Sequence, residues 1–373
     1  MMKVGSDFSG IGSPEVALKN LGIEIEHVFA CDVDEYAKKS FLEIHKPNVF
    51  FDDIRNRNHG SVERLDMYFA GFPCQAFSIA GKRKGFDDVR GTLFFDTAEF
   101  IRINRPKVFV LENVKGLLNH DGGNTYQTII ELLSNCGGTV NSQMSFDMFE
   151  DGLGYHLHTC LLNTKNFGLP QNRERIFIVG FDKFAEFRIP KGFELTTKLI
   201  DILEDEVPGK YYLKQKQIDK LIEYNKRQTE KGNGFMAKFH NPNEDMMSAL
   251  KVGGSRSDDL VEVVAQNTQA IEWIADFRND EGLRKRKDNI SPCLTARRTS
   301  ENDVCTMPPI IKKRRIRRLT PFECWKLQGF SKEDFDKAAN VCSDTQLYKQ
   351  AGNSISVPVI QAIIKNITDA LDK

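Results

Sequence analysis

The chain has 373 residues, 40% hydrophobic and 28% charged, with 52 basic and 52 acidic side chains and hence no formal net charge. That length accommodates two domains and a large core, and the composition is that of a soluble globular protein. Apolar runs such as Val108 to Leu111 are far too short to span a bilayer, and Met1-Met2-Lys3-Val4-Gly5 has no signal-peptide shape. The 8 cysteines form no CxxC pair and are expected as free thiols in a reducing cytoplasm.

Strand-like and helix-like segments alternate from the start. Lys3 to Phe8 predicts a strand and Pro14 to Leu21 a helix, with Ser13 as its cap. A strand over Glu26 to Cys31, a helix over Asp34 to His45 and a strand over Asp66 to Gly71 follow. Thr92 to Asn104 predicts a helix, Lys107 to Glu112 a strand, Asn124 to Cys136 a helix, and Leu157 to Leu162 and Arg175 to Phe181 two more strands. This alternation predicts an α/β fold, with a mostly parallel sheet covered by helices on both faces. Beyond Lys183 the periodicity weakens. The expected organisation is a first domain over 1–184, a smaller irregular domain over 185–315, and a return over 316–373 that completes the first. Helices are expected from Pro321 to Leu327 and from Val357 to Leu371, the latter with an apolar stripe at Ile360, Ile363, Ile364 and Ile367.

Three features of the first domain suit an adenosine-bearing cofactor. Asp7-Phe8-Ser9-Gly10-Ile11-Gly12 joins the first strand to the first helix, and a glycine turn there lets a ligand approach the helix N-terminal amides. Asp32 ends the second strand, 20 residues beyond Gly12, where an acid accepts from ribose hydroxyls. Asp52-Asp53-Ile54 follows the next apolar stretch, with a carboxylate for an adenine amino group and Ile54 beside the ring. The turn does not distinguish a nicotinamide dinucleotide from S-adenosylmethionine. His156-x-His158 is a close histidine pair, and no metal site is expected from it.

Gly71-Phe72-Pro73-Cys74-Gln75-Ala76-Phe77-Ser78 places a thiol after a stiff turn at the exit of an apolar run, where a thiolate can act as a nucleophile. Glu112-Asn113-Val114, Gln171-Asn172-Arg173-Glu174-Arg175, Arg318-Leu319-Thr320-Pro321 with Leu327-Gln328-Gly329-Phe330, and Gly352-Asn353-Ser354 follow in order. With the glycine turn and Arg90-Gly91-Thr92-Leu93-Phe94, these segments resemble the DNA (cytosine-5)-methyltransferases of bacterial restriction-modification systems. The resemblance covers residues 3–181 and 316–373. It implies a Rossmann-like class I S-adenosylmethionine-dependent methyltransferase fold, with residues 185–315 as the target-recognition domain. It implies Cys74 as the nucleophile toward carbon 6 of a flipped-out cytosine, Glu112 as the acid at ring nitrogen N3, and Arg175 with Arg173 on the cytosine carbonyl. It further implies Phe8, Gly10, Ile11, Gly12, Asp32, Asp53, Ile54, Pro73, Leu93, Asn353 and Ser354 around S-adenosylmethionine, with no metal. Val33 stands where some members carry an aromatic, and Ser13 where many carry glycine.

The segment from Ala80 to Gly91 is expected as a closing loop, with Lys82, Arg83 and Lys84 on phosphates. Between Arg284 and Arg318 stand twelve basic residues against three acidic ones, a stretch that suits a polyanion. Within it Thr295, Arg297 and Arg298 match the family's element near the DNA backbone, with Cys293 where a threonine is common. The expected partner is double-stranded DNA, with a cognate endonuclease acting separately; a monomer in the cytoplasm is expected. The alternatives are a tRNA cytosine-5 methyltransferase on the same scaffold, a silent DNA-binding relative, and a dinucleotide-dependent oxidoreductase.

Overall fold

The computed structural model describes residues 1–73, 93–134, 152–231, 238–240, 242–243, 246–248, 259–264, 275–278, 282–285 and 314–372. The elements begin with β1 (Met2–Asp7), α1 (Ser13–Asn20), β2 (Ile25–Cys31), α2 (Glu35–Ile44), β3 (Val49–Phe51) and β4 (Met67–Ala70). They continue with α3 (Leu93–Asn104), β5 (Val108–Val114), α4 (Asn124–Leu133), β6 (His156–Asn163), β7 (Gln171–Asn172), β8 (Glu174–Phe181) and α5 (Leu199–Ile202). Then come α6 (Gln215–Glu230), β9 (Lys238–His240), β10 (Met247–Ser248), β11 (Asp259–Val264), β12 (Ala275–Arg278), β13 (Gly282–Lys285) and β14 (Arg314–Arg317). The chain closes with α7 (Pro321–Lys326), α8 (Lys332–Ala339), α9 (Asp344–Asn353) and α10 (Val357–Leu371).

The chain divides into two units. The first comprises Met1–Glu204, Met246–Arg256 and Thr320–Lys373. Its main sheet runs β3-β2-β1-β4-β5-β8-β6. Neighbours from β3 to β5 are parallel, and β8 is antiparallel to both β5 and β6. The central strands are buried along their length, as in Met67-Tyr68-Phe69-Ala70 and Val108 to Leu111, because helices cover both faces. Strand order reverses between β1 and β4, so a crevice opens beyond their C-terminal ends, where doubly wound sheets take ligands. α5 belongs to this unit: Leu199 and Ile202 are buried, and the Glu204 amide donates to Glu323 Oε1 at 2.7 Å. At the far edge His158 packs against Phe181 and Phe187, and burial lowers its pKa.

The second unit comprises Asp205–Asp245 and Ser257–Leu319. β14 pairs antiparallel with β11, and β9 pairs parallel with it. Arg317, near the end of the basic run, is 1% exposed and opposes Val261. This one arginine of the run is therefore buried and does not face a polyanion.

Two local expectations need correction. Ser13 does not cap α1 but is its first residue. Gly12 holds the cap position at φ +83°, and a side chain there would meet His45 Nε2 at 2.1 Å, so glycine is required on both counts. The 16-residue helix α6 crosses a stretch expected to be irregular, and none of its residues is buried.

Candidate active site

β1 delivers Asp7, then Phe8 at φ +54°, a left-handed conformation that is costly for a phenylalanine. The turn that follows lines a cleft of about 430 Å³, mouth included, bordered by Phe8, Gly10, Ile11, Glu112, Asn353 and Ser354 among others. A side chain at Gly10 would meet nothing within 4 Å, so the space over the turn is open.

Asp32 stands directly after β2 and is fixed by two backbone donors. The Gly10 amide reaches Oδ2 at 2.8 Å and the Asp34 amide reaches Oδ1 at 2.8 Å. Burial raises its pKa, while these two donors lower it. Each oxygen keeps a further lone pair, the need of a ribose-binding acid. Asp34 caps α2 through the Tyr36 and Ala37 amides and pairs with Lys349 Nζ at 2.5 Å.

Asp53 is differently engaged. It caps a short turn through the Arg55 amide, and its carboxylate takes Arg55 Nε at 3.0 Å and Nη2 at 2.6 Å. Arg55 holds it below the usual carboxylate range. An adenine amino group at Asp53 would thus share that carboxylate with Arg55. Ile54 is buried in the core, and Phe8 and Leu93 pack against the same cluster. Gly12, Asp32, Asp53, Ile54, Pro73 and Leu93 do not border the cleft itself. Asp32, with a further lone pair on each oxygen, and the open glycine turn fit an adenosine group. No set of three or more His, Cys, Asp or Glu side chains that could hold a metal occurs among the described residues.

Glu112 comes from the C-terminal end of β5. It lies opposite Phe177 of β8, and Arg175, two residues earlier on that strand, projects from the same face. Arg175 Nε meets Glu112 Oε1 at 2.9 Å, with 19% and 13% of the two side chains exposed. Burial raises the Glu112 pKa, and Arg175 then Arg173 pull it back. A Cβ on Gly71 would lie 3.5 Å from Glu112 Oε2, so Glu112 borders the chain three residues before Cys74. Asn113 Nδ2 donates to the Phe72 carbonyl at 2.9 Å and ties that turn to β5. Pro73 is exposed. Cys74, Lys82, Arg83, Lys84, Thr295, Arg297 and Arg298 lie outside the described residues.

Arg173 calls for a different emphasis from Arg175. It is 2% exposed, and its Nη2 donates to the carbonyls of Gly352 at 3.1 Å and Ser354 at 2.7 Å. Its pKa is pushed down to about 9, by burial first and by the like charge of Arg175, so it remains a cation at neutral pH. It joins the strand carrying Arg175 to the turn carrying Asn353 and Ser354. The buried Ser354 donates its hydroxyl to the Gln350 carbonyl, whereas Asn353 is exposed at the cleft. The sequence did not mark Asp7, Arg57 or Lys349, whose partners are distant in the chain.

A mostly parallel sheet with a glycine turn, a carboxylate fixed beside it and an arginine-paired glutamate at one crevice is the arrangement of an α/β enzyme with a nucleotide-like cofactor. The family model for C-5 cytosine-specific DNA methylase matches residues 2–369, and the chain belongs to that family. It is 38% identical to the type II methyltransferase M.HpaII of Haemophilus parainfluenzae, over 98% of this chain and 88% of that protein. It is 34% identical to the type II methyltransferase M.Bsp6I of Bacillus sp. (strain RFL6), over 98% of each. The fold is similar to the crystal structure of the S. pombe Dnmt2 methyltransferase, with a TM-score of 0.65, 16% identity and complete coverage of both chains. The protein is an S-adenosylmethionine-dependent DNA cytosine-5 methyltransferase.

Proposed function

We propose that Cys74, Glu112 and Arg175 carry the chemistry, by covalent addition to a cytosine flipped out of duplex DNA. The observation that supports this most is the Glu112–Arg175 pair, which borders both the glycine-turn cleft and the chain leading to Cys74. Carbon 5 of cytosine is a poor nucleophile until the ring loses its aromaticity. The Cys74 thiolate forms a bond to carbon 6, and the Glu112 carboxyl gives its proton to N3 as electron density arrives there. Arg175 holds the cytosine carbonyl oxygen and orients Glu112, while Arg173 holds the Asn353–Ser354 turn. S-adenosylmethionine, when bound, supplies an electrophilic methyl group to carbon 5. Transfer of the carbon 5 proton to solvent water, with its bonding pair forming the carbon 5–carbon 6 double bond as the sulfur–carbon 6 bond breaks, and return of the N3 proton to Glu112 regenerate the thiolate and the aromatic ring.

Phe8, Gly10, Ile11, Gly12, Asp32, Asp53, Ile54, Pro73, Leu93, Asn353 and Ser354 hold the cofactor in this proposal, with Asp32 on the ribose. No metal takes part. Lys82, Arg83 and Lys84 close on phosphates. Residues 185–315 read the target sequence, with Thr295, Arg297 and Arg298 on the backbone. A monomer in the cytoplasm, with a cognate endonuclease acting separately, is part of this proposal.

Incubation with labelled S-adenosylmethionine and either duplex DNA or tRNA tests the substrate; label on tRNA and none on DNA would overturn it. Cys74→Ala is expected to abolish transfer while leaving S-adenosylhomocysteine binding intact, and full transfer by that variant would exclude the covalent route.

A further inference from the structure

We infer that Arg57, acting through Asp7, is a positioning residue of the cofactor cleft, and this inference rests on the proposed placement of the cofactor there. Asp7 is the last residue of β1 and lines the cleft. Both side chains of the pair are 0% exposed. Arg57 Nη1 donates to Asp7 Oδ1 at 2.8 Å and Nη2 to Oδ2 at 2.7 Å, a bidentate pair. Tyr68 Oη donates to the same Oδ2 at 2.7 Å. The guanidinium carbon lies 4.3 Å from the Phe29 ring centre and 4.5 Å from that of Phe100, an aromatic seat that fixes its plane.

The three partners belong to the three segments that end at the site. Asp7 immediately precedes the left-handed Phe8 and the glycine turn. Arg57 follows the short turn begun at Asp53 and Ile54. Tyr68 sits in β4, which runs on to Gly71 and Pro73. One buried carboxylate thus sets the spacing of the glycine turn, the adenine segment and the strand leading to Cys74. Breaking such a pair on one side leaves a buried charge unpaired, whereas apolar replacements of similar volume often fold as well or better. The pair therefore contributes definite geometry rather than stability. That geometry holds Phe8 in a conformation it would otherwise leave.

Tyr68→Phe removes one donor to Asp7 and keeps the ring, and Arg57→Lys keeps the charge but loses the fork. Calorimetric titration with S-adenosylhomocysteine is expected to show about tenfold weaker binding in Tyr68→Phe, the effect of one charge-assisted bond. The KM for S-adenosylmethionine should rise in parallel, with the Kd for duplex DNA within about twofold of the wild type. Arg57→Lys should bind more weakly than the wild type and more tightly than Arg57→Met. Cofactor affinity unchanged in Tyr68→Phe, or a fall in kcat with KM constant, would overturn the inference. Failure of the wild type itself to bind S-adenosylhomocysteine would instead overturn the proposed function, and the inference with it.

Discussion

In the proposed mechanism Glu112 has to be acidic enough to exist as a carboxylate beside Arg175 and basic enough to hold a proton for a ring nitrogen. Burial raises its pKa above the ordinary 4.5 and the two arginines limit the rise, which suits both demands. Glu112→Gln keeps the size and one hydrogen bond but has no proton to transfer. It is expected to lower kcat by about 10²–10⁴ with S-adenosylhomocysteine binding unchanged, as single-turnover kinetics and calorimetry would show. The raised pKa also has a signed effect on stability. Just above pH 4.5 the folded protein still holds this proton while the unfolded chain has released it. This residue's contribution therefore falls as pH rises from 4.5 through the raised folded value. Urea unfolding of both proteins from pH 4 to about pH 8 should show Glu112→Gln gaining on the wild type across that window.

Among the elements, the turn after α7 shows how packing and backbone geometry converge on one residue type. Gly329 sits at φ +90°, and an added Cβ would meet Pro358 Cδ at 2.6 Å and Val357 Cβ at 3.2 Å, at the start of α10. Gly329→Ala combines a left-handed strain with overlap against a proline ring, and is expected to cost about 1–3 kcal/mol in denaturant unfolding. The same contrast between local and distant causes explains what the sequence made legible. The β–α alternation was visible because central parallel strands are apolar on both faces, and α10 because its stripe is regular. β3 has three residues and offers no periodicity, whereas α6 has no buried residue and so no apolar stripe to detect. The capping box at Ser331 and Asp334 announces α8 in the sequence, yet the polar helix behind it hid the signal. At the site, Glu112 and Arg175 were legible from short motifs. The separate emphasis on Arg173 was not, because its bonds to Gly352 and Ser354 span 179 and 181 residues of chain.

Across the first unit, the chain's return over Thr320–Lys373 completes the core and, in the proposed cofactor site, reaches the glycine turn. α10 buries Val359, Ile360, Ile363, Ile364 and Ile367, and α9 presents Lys349 and Gln350 to the first turns of α2. Lys349 pairs with Asp34, the Asp34 amide donates to Asp32, and Asp32 takes the Gly10 amide, so three consecutive contacts join the C-terminal segment to the glycine turn. Asp32 is raised by burial, lowered by its two backbone donors, raised by the nearby Asp34 charge and lowered by Lys349. Removing that cation leaves two neighbouring carboxylates without it, so Asp32 takes up a proton at higher pH. A protonated Asp32 has less capacity to accept from a ribose diol. Lys349→Met is therefore expected to weaken S-adenosylhomocysteine binding more toward the acid end of the protein's stable range than at about pH 8, moving the acid limb of affinity upward. Calorimetric titrations across that range decide it. A uniform loss at every pH would mean that Lys349 only docks α9, whereas an upward shift of the limb would mean that this segment also sets the charge on the ribose acid.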